Sequence, residues 1–285
     1  MTRHRRQSIA PGWQPRDILH VVFSSPGAIA FQIGPLVIRW YGILMATSIV
    51  VGLILGHRQA RREGLPADDI ISVGQWAILA GLLGARIYEV IFNWDYYGQY
   101  PSKILAVWEG GLAIHGGLIV GPLVGVWLAR HWKVPILRGL DVTAPSFAIG
   151  QAIGRWGNFF NEEAFGQPTN VAWKLYISPS HRPPGFTQFE YFHPAFLYES
   201  LWDLGVFLVL VLWARPHLRD KPGALFFVYI GLYSVGRFAI EGLRMDSFWL
   251  GPFRVAQLAS LLGMIVALIG LMWTRRRATT LAPAR

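Results

Sequence analysis

Residues 154–166, GRWGNFFNEEAFG, hold a dense group of polar side chains next to an apolar part of the chain. Within nine residues they present one arginine, two amides and two carboxylates, namely Arg155, Asn158, Asn161, Glu162 and Glu163. If the stretch is helical, Asn158 and Glu162 share a face with Arg155. An arginine presents a planar fork of donors that matches the oxygens of a phosphate. The stretch is therefore typical either of an anion site or of a capped helix end with an interfacial charge.

A second charged group, Arg237, Glu241 and Arg244, lies in the segment GRFAIEGLR. The spacing of four and then three residues places the three side chains on one helical face. One interpretation is a satisfied ion-pair ladder in which Glu241 neutralises its neighbours. Because two arginines surround one glutamate, the alternative is a net positive charge that, where buried, needs an anionic partner.

Two further polar groups interrupt apolar segments. His115 is followed directly by two glycines, so a ligand or another backbone could approach its imidazole closely. A lone histidine is more often a packing residue than a catalyst, and both interpretations stay open at this point. Arg86 and Glu89 lie three residues apart on one helical face, where a structural ion pair is the simpler interpretation.

The composition indicates the medium in which these groups lie. Of 285 residues, 53% are hydrophobic and 15% are charged, and the mean hydropathy is +0.36. An ordinary soluble domain carries about 25% charged residues. Several apolar runs approach the roughly 20 residues that cross a bilayer as a helix, and they lack the strict alternation of a membrane β-barrel. We therefore predict an all-α polytopic membrane protein.

Seven transmembrane helices are predicted, near residues 38–56, 70–92, 111–129, 139–154, 194–213, 223–242 and 255–273. The fourth is short and rich in glycine and alanine, which favours a broken or partly re-entrant helix. The connection at about 155–193 is rich in proline, glycine and aromatic residues, so we expect it to form a small folded head. Residues 18–36 are apolar but interrupted by proline and glycine, and we expect an arm at the outer membrane surface.

Lysine and arginine residues set the expected orientation. The connections after the first, third and fifth helices, with the C-terminal tail, carry thirteen of them, against six in the opposite connections. Because cytoplasmic loops are enriched in these residues, the C-terminus is predicted to be cytoplasmic and the N-terminus outside. Arginines 3, 5, 6 and 16 would then also lie outside, which conflicts mildly with the rule. The net charge of +10 is explained by topology and lipid headgroups, without nucleic acid.

Under this topology the polar residues converge at the outer end of the bundle. The residues that meet there come from different helices: Tyr41, His115, Arg155, His193, Arg237 and Arg244. Structural ion pairs would be expected to scatter, so the convergence favours a site for the phosphate of an anionic phospholipid. The chain has no cysteine, so a reaction that uses a thiol must take it from the substrate.

These segments resemble the prolipoprotein diacylglyceryl transferase family over roughly residues 20–275. Besides GRWGNFFNEEAFG, the matching segments are RWYGILM, GARIYEV, HGGL, HPAFLYE and GRFAIEGLR, in the order and spacing of the family. The resemblance implies seven transmembrane helices with a periplasmic head, in the bacterial inner membrane. It implies one transmembrane catalytic domain at 18–275, between a basic N-terminal tail at 1–17 and a cytoplasmic tail at 276–285.

The resemblance also implies the reaction. A member of this family transfers the diacylglyceryl group of phosphatidylglycerol to the thiol of the lipobox cysteine in the signal peptide of a preprolipoprotein, and glycerol phosphate leaves. The expected partners are thus phosphatidylglycerol, lipobox signal peptides and membrane lipids. Neither a cofactor nor a metal is expected, because arginines supply the electrostatic stabilisation.

Site residues carried over from the family fall into three groups. Arg155 and Arg237 are the expected catalytic arginines, and His115 is expected either to take the thiol proton or only to orient the thiol. The residues expected to shape the lipid and headgroup pocket are Tyr41, Asn158, Asn161, Glu163, Gly166, Glu241 and Arg244. Arg86, His193 and Tyr198 are possible further members.

Two other functions compete with this interpretation. A metal-dependent lipid phosphotransferase needs several carboxylates together, and no tight cluster of this kind is evident in the sequence. A transporter with arginine-lined anion sites would place polar groups at mid-membrane or at both faces, whereas here they gather at one.

Overall fold

The computed structural model describes residues 21–281 apart from 35, 108 and 109, with side chains to residue 277. The described chain is mostly helical. Its helices are α1 Trp40–Arg62, α2 Ala67–Phe92, α3 Trp94–Tyr97, α4 Ile114–His131, α5 Ile136–Asn161, α6 Ala195–Leu208, α7 Arg215–Leu218, α8 Ala224–Glu241 and α9 Val255–Leu281. A π-helical stretch, Val209–Ala214, joins α6 to α7, and 3-10 turns lie at Pro101–Leu105 and Pro179–His181. The basic N-terminal tail lies outside the described residues.

Five of the described helices are long and apolar enough to cross a membrane, which confirms the prediction of a multi-pass helical protein. They are Trp40–Arg62, Ala67–Phe92, Ala195–Leu218, Ala224–Glu241 and Val255–Arg277. In place of the predicted third and fourth spans the chain forms α4 and α5, which are not in this set. The count of seven spans stays a prediction.

The prediction of a broken fourth span is wrong, because α5 is one continuous helix of 26 residues. Its small residues pack against neighbours that hold it: Ser146 Oγ donates to the Gly52 carbonyl at 2.8 Å, and Ser200 Oγ of α6 donates to the Ala152 carbonyl at 2.8 Å. The helix also continues to Asn161, so the non-helical connection begins at residue 162 and not at 155.

Glycines let neighbouring helices approach closely, as is common in membrane bundles. Helices α2 and α4 are antiparallel, because Gly84 lies against Gly116 while Gly121 and Gly125 lie against Ala77. A Cβ on Gly116 would overlap the carbonyl group of Gly84. This contact fixes α2 and α4 as a pair.

The connection between α5 and α6 folds into a small unit with short strands. Strands β4 Leu175–Tyr176 and β5 Tyr191–Phe192 are antiparallel, and β1 Phe23–Ser24 joins the edge of β4 in parallel. The predicted N-terminal arm thus contributes a strand to this unit. Its core contains Phe159 of α5 and Phe196 of α6, so the unit, here called the head, is packed directly onto two helix ends.

Two hairpins lead into helices at the same end of the bundle. Strands β2 Ile29–Ile33 and β3 Leu36–Arg39 pair antiparallel and run into α1. Strands β6 Trp249–Leu250 and β7 Phe253–Arg254 form the second hairpin and run into α9. Their apolar side chains are largely exposed, as expected of residues that lie near a membrane surface.

The substitution Gly116→Ala should destabilise the protein, because the added Cβ meets backbone atoms of α2 that cannot rotate away. We expect a loss of roughly 1–3 kcal/mol, typical of overpacking, measured as a lower melting temperature in detergent. Gly205→Ala is the matched control: it lies in α6 with nothing within 4 Å of its Cβ position, so its melting temperature should be unchanged or slightly higher. Equal melting temperatures for the two variants would contradict the glycine contact.

Candidate active site

Three arginines, one from α5 and two from α8 and the turn that follows it, converge on one buried carboxylate, that of Glu199 in the second turn of α6. Arg155 of α5 places Nη1 at 3.1 Å from Glu199 Oε2, and Arg237 of α8 places Nη1 at 2.5 Å from Oε1. Arg244, just after α8, donates from Nη1 to both oxygens at 3.2 Å. The Glu199 side chain is only 4% exposed, so its negative charge is balanced by these arginines and hardly by solvent.

Each arginine also contacts a carboxylate other than that of Glu199. Arg237 Nη2 lies at 2.7 Å from Glu241 Oε2, and Arg155 Nε at 3.9 Å from Asp203 Oδ2. Arg244 contacts Asp246 at 2.6 and 2.9 Å and lies 3.9 Å from Glu241. The structure therefore confirms the predicted contacts of Glu241 with Arg237 and Arg244.

Arg244 keeps its positive charge although its side chain is buried. Burial lowers the pKa of its guanidinium, but the hydrogen bonds to Asp246 and the charge of Glu199 raise it by more. The pKa therefore lies above its ordinary value, and Arg244 stays a cation at any pH at which the protein is folded.

The prediction of an uncompensated positive charge at these arginines is wrong for the described residues. By spacing in the sequence, Glu241 is the only carboxylate that can be paired with Arg237 and Arg244. Helix α6 brings Glu199 and Asp203 to the same place, and Asp246 adds a further carboxylate. Four carboxylates of the described residues thus face the three arginines, no positive charge is left uncompensated there, and an incoming anion would have to compete with carboxylates.

A small cavity lies beside the arginines, between α5, α6 and α8. Its lining residues are Arg155, Glu199, Trp202, Asp203, Tyr233, Gly236, Arg237 and Ile240. The Trp202 indole lies directly against Gly236, where any Cβ would overlap the ring, and its Nε1 donates to the Leu232 carbonyl at 2.9 Å. The glycine before Arg237 therefore lets the indole form one wall of the cavity.

The polar residues that end α5 form a second group next to Arg155. Asn158 and Asn161 both donate to Glu163 Oε1, at 3.1 and 3.2 Å. The Oδ1 atom of Asn161 is buried and accepts no hydrogen bond from the described residues. Tyr41 of α1 packs against Gly157, and both Glu163 and Arg155 act electrostatically on its hydroxyl group. The structure thus brings Tyr41, Asn158, Asn161 and Glu163 together near Arg155.

Gly166 lies in a strand-like segment between the two halves of the site. Its N–H donates to the His193 carbonyl at 2.9 Å, and the next residue, Gln167, donates to the Leu243 carbonyl at 2.9 Å. A Cβ on Gly166 would lie 2.7 Å from His193 Cβ and 3.1 Å from the Leu243 oxygen. Only glycine fits, so this segment ties the start of α6 to the end of α8.

The side chains of His193 and Tyr198 take part in a hydrogen-bond network with the head. The Tyr198 hydroxyl lies 3.1 Å from His193 Nδ1 and accepts a hydrogen bond from Trp173 Nε1 at 2.9 Å. Burial lowers the pKa of His193. The imidazole is therefore neutral at neutral pH and joins the network as a hydrogen-bonding group.

The structure does not join His115 or Arg86 to the arginine group by any contact among the described residues. His115 starts α4, is exposed and stacks on the Tyr88 ring with centroids 5.7 Å apart. Arg86 donates to four backbone carbonyls, those of Lys103, Ile104, Gly110 and Gly111, at 2.5–2.9 Å. Its described bonds hold the α2–α4 connection, whereas Glu89 accepts from Asn93 at 3.1 Å. Arg86 therefore braces this connection and does not form the expected pair with Glu89, and its membership of the site stays a prediction.

Sequence reasoning missed Glu199, Asp203 and Asp246 as members of the site. A signal for the first two was present, because they are ionisable residues four apart inside an apolar segment, where such groups face the protein interior. Among the residues that the structure describes, no three histidine, aspartate or glutamate side chains are placed to hold a metal ion together.

The lowered pKa of His193 predicts that the folded protein loses stability in acid. The unfolded chain takes up the proton near pH 6.5, before the folded protein does, so stability is full above that pH and falls as the pH drops below it. The melting temperature of the protein should fall between pH 7.5 and 5, and His193→Gln, which keeps a hydrogen-bonding group, should fall less. An identical fall in both would exclude His193 as a source.

Comparison with known proteins places the chain in a family. The family model described as prolipoprotein diacylglyceryl transferase matches residues 28–273. The curated phosphatidylglycerol–prolipoprotein diacylglyceryl transferases of Trichormus variabilis, Acaryochloris marina and Synechococcus elongatus are 49%, 46% and 45% identical. These matches cover 90%, 88% and 90% of this chain, and 92%, 92% and 90% of the relatives. The resemblance read from the motifs is confirmed, and the chain belongs to the prolipoprotein diacylglyceryl transferase family.

Proposed function

We propose that the protein transfers the diacylglyceryl group of phosphatidylglycerol to the lipobox cysteine of a preprolipoprotein, the first step of bacterial lipoprotein maturation. The observation that carries this function is the convergence of Arg155 of α5 with Arg237 and Arg244 of the α8 segment at one end of a membrane bundle. The names of the relatives agree with it.

The reaction is a displacement at a glycerol carbon. The cysteine sulfur forms a bond to that carbon, the bond from the carbon to the phosphate oxygen breaks, and the thiol proton passes to a base. The phosphate begins as a diester with one negative charge and leaves as a monoester with up to two. The transition state therefore gains negative charge on the phosphate oxygens.

Arg155 and Arg237 are positioned to stabilise this growing charge. Their guanidinium groups come from α5 and α8 and approach one anion from two sides, at 3.1 and 2.5 Å from the Glu199 oxygens. Donors that bind the leaving phosphate more strongly than the substrate lower the barrier, because catalysis depends on that difference. Arg244 would complete the group from a third side.

The remaining residues at the end of α5 would bind the headgroup of the lipid. The buried Oδ1 of Asn161 is an acceptor with no described partner, and a glycerol hydroxyl could supply the missing hydrogen bond. Asn158 and Asn161 share the Glu163 carboxylate, Tyr41 packs on Gly157 of the same helix end, and Gly166 keeps the following segment close to His193.

The thiol comes from the substrate, because the chain has no cysteine. His115 is our candidate either to accept the thiol proton or to orient the thiol. Its exposed imidazole at the start of α4 leaves it accessible to an incoming peptide. For either role the peptide must lie between the α2–α4 pair and the arginines, which defines its path across the outer end of the bundle.

We assign the protein to the bacterial inner membrane with seven spans, α4 and α5 included. The helix connections alternate between the two ends, and the end opposite to Arg155 carries a concentration of basic residues, among them Arg61, Arg62, Arg130, Arg138 and Arg215. By the positive-inside rule that end is cytoplasmic. The head, the arginine site and the N-terminus are then periplasmic, and the C-terminus is cytoplasmic.

Transfer should be measurable with purified protein, phosphatidylglycerol and a lipobox peptide in mixed micelles. The peptide should gain the mass of one diacylglyceryl group, and Arg155→Ala and Arg237→Ala should each lower the rate about 10²–10³-fold, as for loss of one charge-stabilising donor. The matched control is Arg219→Ala, at the other end of the bundle, which should keep the wild-type rate. An absence of mass gain with the wild type, or equal rates for Arg155→Ala and Arg219→Ala, would overturn the assignment.

A further inference from the structure

We propose that Glu199 is a place-holding anion: its carboxylate and the phosphate of the substrate or product compete for the same arginine donors. This inference rests on the proposed function. It adds a role for Glu199 in exchanging phosphate, beyond holding the fold together.

The first argument is geometric. Both Glu199 oxygens face guanidinium groups only: Oε1 contacts Arg237 at 2.5 Å and Arg244 at 3.2 Å, while Oε2 contacts Arg155 at 3.1 Å and Arg244 at 3.2 Å. Three hydrogen bonds, one from Arg237 and two from Arg244, and the ion pair with Arg155 thus occupy both oxygens of the carboxylate. Two oxygens of a phosphate present the same arrangement of acceptors to the same donors. Glu199 thus lies where a phosphate would have to bind to engage all three arginines.

The second argument is that the arginines do not depend on Glu199 alone. Arg155 has Asp203 at 3.9 Å, Arg237 has Glu241 at 2.7 Å, and Arg244 has Asp246 at 2.6 Å. These three carboxylates approach from outside the shared position. When Glu199 yields to a phosphate, Arg237 and Arg244 keep short ion pairs with Glu241 and Asp246, and Arg155 keeps the longer contact with Asp203. Glu199 is therefore the one anion in the group that can be exchanged.

The third argument concerns charge. Without the Glu199 carboxylate the three arginines would keep only their outer partners Asp203, Glu241 and Asp246, and the donors that now face Glu199 would all bind a doubly charged product. The leaving glycerol phosphate carries more charge than the lipid phosphate, so the arginines bind it more tightly. Product release is therefore the step that this tight binding would slow most. The return of the Glu199 carboxylate to the arginines replaces the bonds that the product gives up, so it speeds release.

The variant Glu199→Gln tests the competition, since it keeps the size of the side chain and removes its charge. We expect the full-length protein in detergent to bind sn-glycerol 1-phosphate at least about tenfold more tightly than the wild type, because a charged competitor is lost. With phosphatidylglycerol and peptide, KM for the lipid and kcat should both fall, and the first turnover should remain as fast as in the wild type. A residue that only positions the arginines would give weaker binding instead.

Glu63→Gln is the matched control. Glu63 also pairs with an arginine, Arg215 at 2.9 Å, but at the opposite end of the bundle. It should leave the affinity for glycerol phosphate unchanged. If Glu199→Gln does not fold, Glu199→Asp takes its place, because the shorter side chain cannot reach all three arginines and should also bind glycerol phosphate more tightly.

Unchanged or weaker binding of glycerol phosphate in the Glu199 variant that folds overturns the place-holding role. The binding assay involves no turnover, so this result is separate from the proposed function. A wild type that transfers diacylglyceryl groups, beside a variant that binds no more tightly, refutes the place-holding role alone. A wild type that transfers nothing refutes the proposed function.

Discussion

The interaction on which the outer end of this bundle depends is the meeting of guanidinium groups with the carboxylates of α6 and α8. Burying an unpaired charge costs several kcal/mol even after relaxation, so helices that carry Arg155 and Arg237 into the interior can pack only where carboxylates meet them. Glu199 supplies that partner to both and to Arg244. The relative positions of α5, α6 and α8 at this end are therefore constrained by electrostatics as well as by apolar packing, and any substrate anion binds into a network that already satisfies its own charges.

The head makes this network rigid. Its aromatic core packs onto the ends of α5 and α6 through Phe159 and Phe196, and the Gly166 segment reaches across to Leu243, directly before Arg244. Backbone hydrogen bonds hold this link, which does not depend on flexible side chains. Small displacements of arginines would lower their effect on a developing charge, because preorganised donors stabilise a transition state best. The head therefore fixes the spacing of the helix ends that carry the arginines, and its glycine is required because no larger residue fits between His193 and Leu243.

The spacing of residues in the sequence predicted the contacts that form within one helix. The ladder of Arg237, Glu241 and Arg244 could be inferred because residues three and four apart on a helix are neighbours whatever the rest of the chain does. The partnership of Glu199 could not, since it depends on the rotation of α6 relative to helices 38–45 residues away along the chain. The continuity of α5 was missed for a related reason, because its glycines and Pro145 weaken the local helical signal. Hydrogen bonds from Ser146 to Gly52 of α1 and from Ser200 of α6 to Ala152 support the helix instead. The five apolar spans were predictable because each is a long, mostly apolar run.

The expected net positive charge of the site and the carboxylates found there are the largest difference between sequence and structure. This difference changes how the site can bind an anion. A net positive pocket would attract any phosphate and release it slowly. A compensated pocket binds an anion only by exchange, so the gain from each new arginine contact is offset by the loss of a carboxylate contact. Affinity for the phosphate alone is then modest, and selectivity for one lipid must come from groups that recognise the rest of the headgroup. In the function proposed above, this recognition falls to the amides and the unsatisfied Asn161 oxygen at the end of α5.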